Sequence, residues 1–214
     1  MYSGVGAFTA MDRSHPKGHE VESLKSSGAL WRQSACAHRH QALASINDWG
    51  YFDDMSRDKD TILRAARSED LTVLRAVLYD TFESTWRLNI TRTAAQAYIQ
   101  EDRPAIYVGS RGLKFWVAEV SGEVVGFIDW EGDFVIALHV RFAHARQGIG
   151  THLLNHVEAQ IDQAGFASVR LETDTFNLRS QAFYAARGYI KAARYPDEEW
   201  NSGLTTILLI KSLP

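Results

Sequence analysis

An α/β fold of the α+β kind, a mixed sheet of about seven strands flanked by helices, is what this 214-residue sequence predicts. Three observations lead there. Short runs rich in aromatic and β-branched residues recur along the chain, stretches with apolar residues at helical spacing interrupt them, and turn residues separate the two kinds. The resulting order from residue 61 onward is β-α-α-β-β-β-α-β-α-β-β. That is neither a plain βα alternation nor an all-β pattern.

Each element has its own signal. Thr61 to Arg67 reads as a short strand. Ser68-Glu69-Asp70 supplies a cap and first-turn acids to a helix whose apolar face is Leu71, Leu74, Val77, Leu78 and Phe82, ending near Trp86. Thr93 to Ile99 reads as a second helix, stopped before Pro104. Phe115–Val120 and Val124–Trp130 are strands joined by the hairpin pair Ser121-Gly122, and Phe134–Val140 follows after a second turn. Ile149, Leu153, Val157 and Ile161 mark a long amphipathic helix from Gly148 to about Ala164, ended by Gly165. Ser168–Thr173 is a strand and Asn177–Arg187 a helix closed by Gly188. Tyr189–Tyr195 and Leu204–Ile210 are the last strands.

Residues 1–59 have a different character and read as an extension, poorly ordered or carrying a short helix, ahead of a single domain at 60–214. They hold the only cysteine, Cys36, and four of the eight histidines, His15, His19, His38 and His40. Their spacing fits no zinc pattern, and a single cysteine excludes both a disulfide framework and a Cys-rich metal site. No metal is therefore expected. A net charge of −3 gives no electrostatic case for nucleic acid. Without a membrane-length apolar run or a basic-then-apolar leader, the expectation is a soluble cytoplasmic protein with no membrane partner. A homodimer is compatible with the sequence.

The stretch Leu138-His-Val140 to Leu154 is the most informative one. A strand runs into a short loop holding Gly148-x-Gly150, and a helix begins there. First-turn amides have no intrahelical acceptor, and the helix dipole is positive at that end, so the loop suits an anionic phosphate group. Arg146 adds a cation. Gly-x-Gly alone equally marks a plain tight turn. The third glycine of a dinucleotide fingerprint is missing, as is the Gly-Lys-Ser/Thr of a P-loop.

Downstream come Asn177-x-x-Ser180-x-x-Phe183-Tyr184 and Gly188-Tyr189. With Leu138-x-Val140 and Gly148-x-Gly150, these residues make the chain resemble the GCN5-related N-acetyltransferase superfamily over about residues 60–214. The resemblance implies a mostly antiparallel sheet and direct transfer of an acetyl group from acetyl-CoA to a primary amine of a small molecule or peptide N-terminus. It also implies that the Leu138 and Val140 main chain pairs with the pantetheine arm. The amides of Arg146, Gln147, Gly148, Ile149, Gly150 and Thr151 would hold the pyrophosphate, and Asn177, equally suited to capping a helix, would lie near the arm. Tyr184 falls where the family places the acid that protonates the leaving thiolate.

The base is less defined. Ile136 stands where the family often has a glutamate, and Glu172, twelve residues before Tyr184, is the first candidate, with Asp174, Asp133 and His139 as reserves. One departure concerns the motif's leading Arg/Gln, which is Ala145 here, with Arg146 one step late. That departure and Ile136 motivate an alternative, a non-catalytic acyl-CoA binding or sensing module. His152 and His156 lie one helical turn apart with no evident third ligand. Trp86, Trp130, Trp200 and the acidic 195–203 loop are candidates for the acceptor site, or for plain packing and a solvated turn.

Overall fold

The computed structural model describes residues 61–197 and 202–214. The expected extension over 1–59 and Trp200 lie outside the described residues. Along the chain come β1 (Thr61–Ala65), α1 (Leu71–Thr81), α2 (Arg92–Gln100), α3 (Arg103–Arg111), β2 (Trp116–Val120), β3 (Glu123–Glu131), β4 (Phe134–Val140), α4 (Ile149–Gln163), β5 (Ser168–Asp174), α5 (Leu178–Ala185), β6 (Ile190–Pro196) and β7 (Thr205–Ser212). The seven strands form one sheet in the order β1-β2-β3-β4-β5-β7-β6, antiparallel throughout except for β4 beside β5. The predicted mixed, mostly antiparallel sheet is therefore observed.

Two apolar layers cover the two faces of the sheet. On one face, Leu153, Leu154, Val157 and Ile161 of α4 pack on Val125, Ile128, Val169, Leu171, Ile207 and Leu209. On the other, Leu74, Val77 and Leu78 of α1 and Tyr107 and Val108 of α3 pack on Phe115, Val117, Phe127 and Ile136. Strand residues alternate between the layers, as the period of two requires.

The second helix ends before Pro104 as expected, but a third helix that the sequence reading did not include, α3, follows at once. Proline lacks an N–H, and a first helical turn has no intrahelical use for one, so Pro104 sits within that turn. Asp102 caps it, accepting from the Ala105 amide at 3.2 Å. Only Glu101 and Asp102 separate the end of α2 at Gln100 from the start of α3 at Arg103.

A buried ion pair fixes α3 to the sheet. Asp129 of β3 is fully buried and accepts from Arg111 Nε at 2.6 Å, Arg111 Nη2 at 2.9 Å and the Tyr107 hydroxyl at 2.7 Å. The fork of donors satisfies the carboxylate without water. Arg111 also reaches Glu131, but that carboxylate is 68% exposed.

Breaking the buried pair leaves an unpaired charge, whereas breaking the exposed one does not. Asp129→Ala is expected to lower the unfolding free energy by about 3–5 kcal/mol, and Glu131→Ala by less than about 1 kcal/mol. Urea denaturation of both variants checks the contrast.

Candidate active site

Strands β4 and β5 are in register only at Phe134↔Arg170 and Val135↔Leu171. Beyond that point they diverge. A β-bulge sits in the β3–β4 ladder, where Asp129 pairs with Ala137 and Trp130 with Val135, so that Ile136 is the extra residue of the bulge. A bulge bends its strand and raises the local twist, which carries β4 off its parallel neighbour. Gly126 lets β3 and β4 stay close there, since a Cβ at this position would meet the His139 carbonyl oxygen at 2.7 Å. The β5-facing edge of β4 from Leu138 to Val140 is thereby freed from its neighbour, and an extended ligand can pair with it.

The gap opens into a cavity of about 970 Å³. The β4 wall is Leu138, His139 and Val140, the α1 side is Thr81 and Ser84–Trp86, and α5 contributes Ser180, Phe183 and Tyr184. The floor at the far end is Arg146, Gly148, Gly150 and Thr151. Arg146, Arg179 and Arg187 line it, and no carboxylate does among the described residues. The charge pattern favours an anionic ligand.

The glycine loop forms as a cradle. Gly148 adopts φ +84°, and Arg146 is also left-handed at +65°. The Thr151 and His152 amides both turn back to the Gly148 carbonyl, while those of Ile149 and Gly150, first in α4, find no acceptor among the described residues. The Ile149 side chain is buried in the core, so only its main chain faces this end. Gln147 lies outside the cavity, its side-chain amide donating to the Ala143 carbonyl at 3.2 Å.

Tyr184 lines the opposite wall and is 7% exposed. Burial pushes its hydroxyl up to about 12, partly offset by Ser180 and by the Arg187 charge, so the phenol keeps its proton at neutral pH. Asn177 caps α5, accepting from the Ser180 amide at 3.1 Å, and lines the cavity. Its cap role leaves the side-chain NH2 for a ligand.

The structure separates the candidate bases. Neither Glu172 nor Asp174 lines the cavity directly; Glu172 accepts a hydrogen bond from the Tyr195 hydroxyl. Asp133 is occupied by Arg170 at 2.6 and 2.7 Å. Asp174 is 6% exposed and accepts from Trp86 Nε1 at 2.9 Å. Burial, with smaller contributions from Asp197 and Glu172, raises its carboxyl to about 6. Trp86 itself lines the cavity because the chain after α1 continues as a π-helical turn, Phe82–Trp86, instead of α-helix. That turn went unread in the sequence, where the apolar period simply runs on.

His139, also a cavity residue, has its Nδ1 2.9 Å from the Thr81 hydroxyl and its ring stacked on Phe127 at 5.2 Å. Burial lowers it to about 4, so it is neutral at pH 7. His156 packs between Trp116 and Trp130 and serves the core of the α4 face. Trp130 therefore belongs with His156. No cluster of three potential metal ligands occurs among the described residues. No helix among them is long and apolar enough to cross a membrane.

A sheet split between β4 and β5, with an amide cradle at one end and a buried tyrosine opposite, defines an acyl-CoA-dependent acyltransferase of the GCN5-related class. The chain belongs to the acetyltransferase (GNAT) family, whose model matches residues 75–189, and is an acetyl-CoA-dependent N-acetyltransferase. It is 30% identical over 127 residues to blasticidin-S acetyltransferase of Streptomyces morookaense, covering 57% of this chain and 87% of that protein. In fold it is similar to a GCN5-related N-acetyltransferase from Rhodopseudomonas palustris, with TM-score 0.61, 22% identity and coverage of 72% of this chain and 96% of that one. A PaiA N-acetyltransferase from Thermoplasma acidophilum, solved with coenzyme A, superposes with TM-score 0.58, 18% identity and coverage of 72% and 99%.

The buried His139 has a measurable signature. An unfolded histidine titrates near 6.5 and the folded ring near 4, so between these values the unfolded state binds the additional proton. Its contribution to stability is intact above about pH 6.5 and is lost as pH falls toward 4, by on the order of 3 kcal/mol. Chemical denaturation across that interval should give a flatter profile for His139→Gln by about this amount.

Proposed function

We propose that this N-acetyltransferase binds acetyl-CoA along the open edge of β4 and transfers the acetyl group directly to a primary amine approaching past Trp86. The observation that carries the reading is the single cavity running from the Gly148–Thr151 cradle past Leu138–Val140 to Tyr184 and Trp86. Acetyl-CoA supplies the activated thioester. The cradle amides take its pyrophosphate, the free main-chain groups of Leu138 and Val140 pair with the pantetheine arm, and Asn177 offers its NH2 to the same arm.

An aliphatic amine with a pKa of about 10 arrives protonated and must lose a proton before it attacks. Asp174 is the proton acceptor, reached through water beside the Trp86 indole. Its carboxyl near 6 is ionised at pH 7 yet basic enough to take a proton. Burial holds that carboxyl up, and the charges of Asp197 and Glu172 add to it. The amine nitrogen then attacks the thioester carbonyl carbon, the carbon–sulfur bond breaks, Tyr184 donates to the departing thiolate, and the remaining amine proton returns through water to the Tyr184 oxygen. Cys36 has no part in this, and no covalent enzyme intermediate is invoked.

The blasticidin-S acetyltransferase is named for a small-molecule acceptor, which supports a small amine over a peptide N-terminus here. Acetyl-CoA as the donor is consistent with action in the cytoplasm. Thiol release across polyamines, amino acids, aminoglycosides and peptide N-termini, together with calorimetric binding of acetyl-CoA, tests the activity. No binding at micromolar concentrations and no thiol release would reject it.

Three substitutions test the assignments. Tyr184→Phe is expected to lower kcat about 100-fold or more with little change in KM for acetyl-CoA. Asp174→Asn should lower kcat comparably and abolish the rise in kcat/KM that the wild type shows as pH increases through about 6. Because burying a charged carboxylate costs stability above its unfolded pKa, Asp174→Asn should unfold at the same or higher temperature at pH 8. Glu172→Gln should keep most of kcat and move the acidic limb to lower pH; a collapse of kcat would make Glu172 the base instead.

A further inference from the structure

We infer that Arg187, at the end of α5, is the cationic anchor for the acetyl-CoA pyrophosphate and closes the cradle from the wall opposite α4. The inference rests on the acetyl-CoA reading above and adds a residue that no glycine-loop pattern contains.

The guanidinium is already held in place. It lies 3.7 Å over the Phe183 ring, donates from Nη1 to the Phe183 carbonyl at 2.8 Å, and donates from Nη2 to the Thr151 hydroxyl. Thr151 stands in the first turn of α4, and Phe183 is the side chain that faces Gly150, where an added Cβ would lie 3.6 Å from its ring. The arginine thus bridges the last turn of one helix and the first turn of the other, at the rim of the cavity.

Its own needs are unmet. It makes no ion pair with a carboxylate among the described residues, and its Nε is buried without a partner. Other arginines here that are at least half-buried are paired, Arg64 with Asp70 and Glu119 and the fully buried Arg111 with Asp129. A guanidinium carries five N–H donors in a planar fork that fits phosphate oxygens. The unpaired Arg187 charge sits beside amides that also lack acceptors, and one dianion satisfies both. Arg146 on the loop and Arg179 on α5 are exposed and have no comparable fixing contact among the described residues. Arg187 is therefore the pre-organised cation of the three, and a fixed donor loses less entropy on binding.

The experiment compares wild type, Arg187→Gln and Arg187→Lys by calorimetry with CoA and with 3′-dephospho-CoA, and by kinetics with acetyl-CoA and S-acetylpantetheine. Charged hydrogen bonds to a phosphate predict that Arg187→Gln binds CoA about 10–100-fold more weakly, with Arg187→Lys between. The same ratio is expected with 3′-dephospho-CoA, which retains the pyrophosphate. With S-acetylpantetheine, which has no pyrophosphate, kcat/KM should differ little between the proteins.

Equal CoA affinity in wild type and Arg187→Gln overturns the proposal while leaving the acetyl-CoA reading intact. A ratio that vanishes with 3′-dephospho-CoA also overturns it, placing the contact at the 3′-phosphate. An equal loss with S-acetylpantetheine overturns it in favour of a packing role over Phe183. Failure of the wild type to bind CoA at all rejects instead the acetyl-CoA reading on which it rests.

Discussion

Everything that makes this sheet a site depends on the parting of β4 from β5. Parallel neighbours ordinarily share their hydrogen bonds along their whole length, and here they share them at two register positions only. The bulge at Ile136 turns β4 away, and Gly126 keeps β3 with it. The main-chain groups left over at Leu138 and Val140 would be a liability in a closed sheet. Opening onto a cavity turns them into a pairing edge for an extended ligand. The loop that follows inherits its position from the same bend, so the amides of α4 point into the cavity that β4 has left open.

The two ends of that cavity differ in charge because they are built from different parts of the chain. At the α4 end stand Arg146 and Arg187, with no carboxylate on the lining among the described residues. At the other end the acids Glu172 and Asp174 sit behind the wall, on the strand that β4 abandoned. Asp174 is held off the cavity by the Trp86 indole, and Trp86 is there because α1 widens into a π-turn. Burial acts on both titrating neighbours and in opposite senses. It raises Asp174 toward neutrality and lowers His139 well below it, so one group exchanges protons near pH 6 and the other stays uncharged.

Stability is placed apart from chemistry. The Arg111–Asp129–Tyr107 cluster locks α3 onto β3 on the α1 side of the sheet. Asp129 lies beside the same bulge that bends β4. One charged interaction thus steadies the strand from which the opening is made, and its donors are fully engaged. Asp174, with one indole partner and a raised pKa, is the less settled carboxylate of the two.

The strands and α4 were legible in the sequence because a half-buried strand needs alternation and a one-sided helix needs a period near 3.6, and both survive any tertiary context. Gly148 could be read for a related reason, since the left-handed turn before α4 is easiest for glycine. Pro104 misled because the same missing N–H ends one helix and suits the first turn of the next. Glu172 and Asp174 look alike as strand carboxylates on one face; only the packing of Trp86 distinguishes them, burying one and leaving the other to Tyr195. Arg187 carried no signal, being an unremarkable residue at a helix end until folding lays α5 against the start of α4. The sequence by itself determined the strands, the helices apart from α3 and the π-turn, and the acyltransferase motifs, which depend on local geometry. Which acid is buried, which cation is left unpaired and where the sheet opens were decided by tertiary structure, because each depends on groups far apart in the chain.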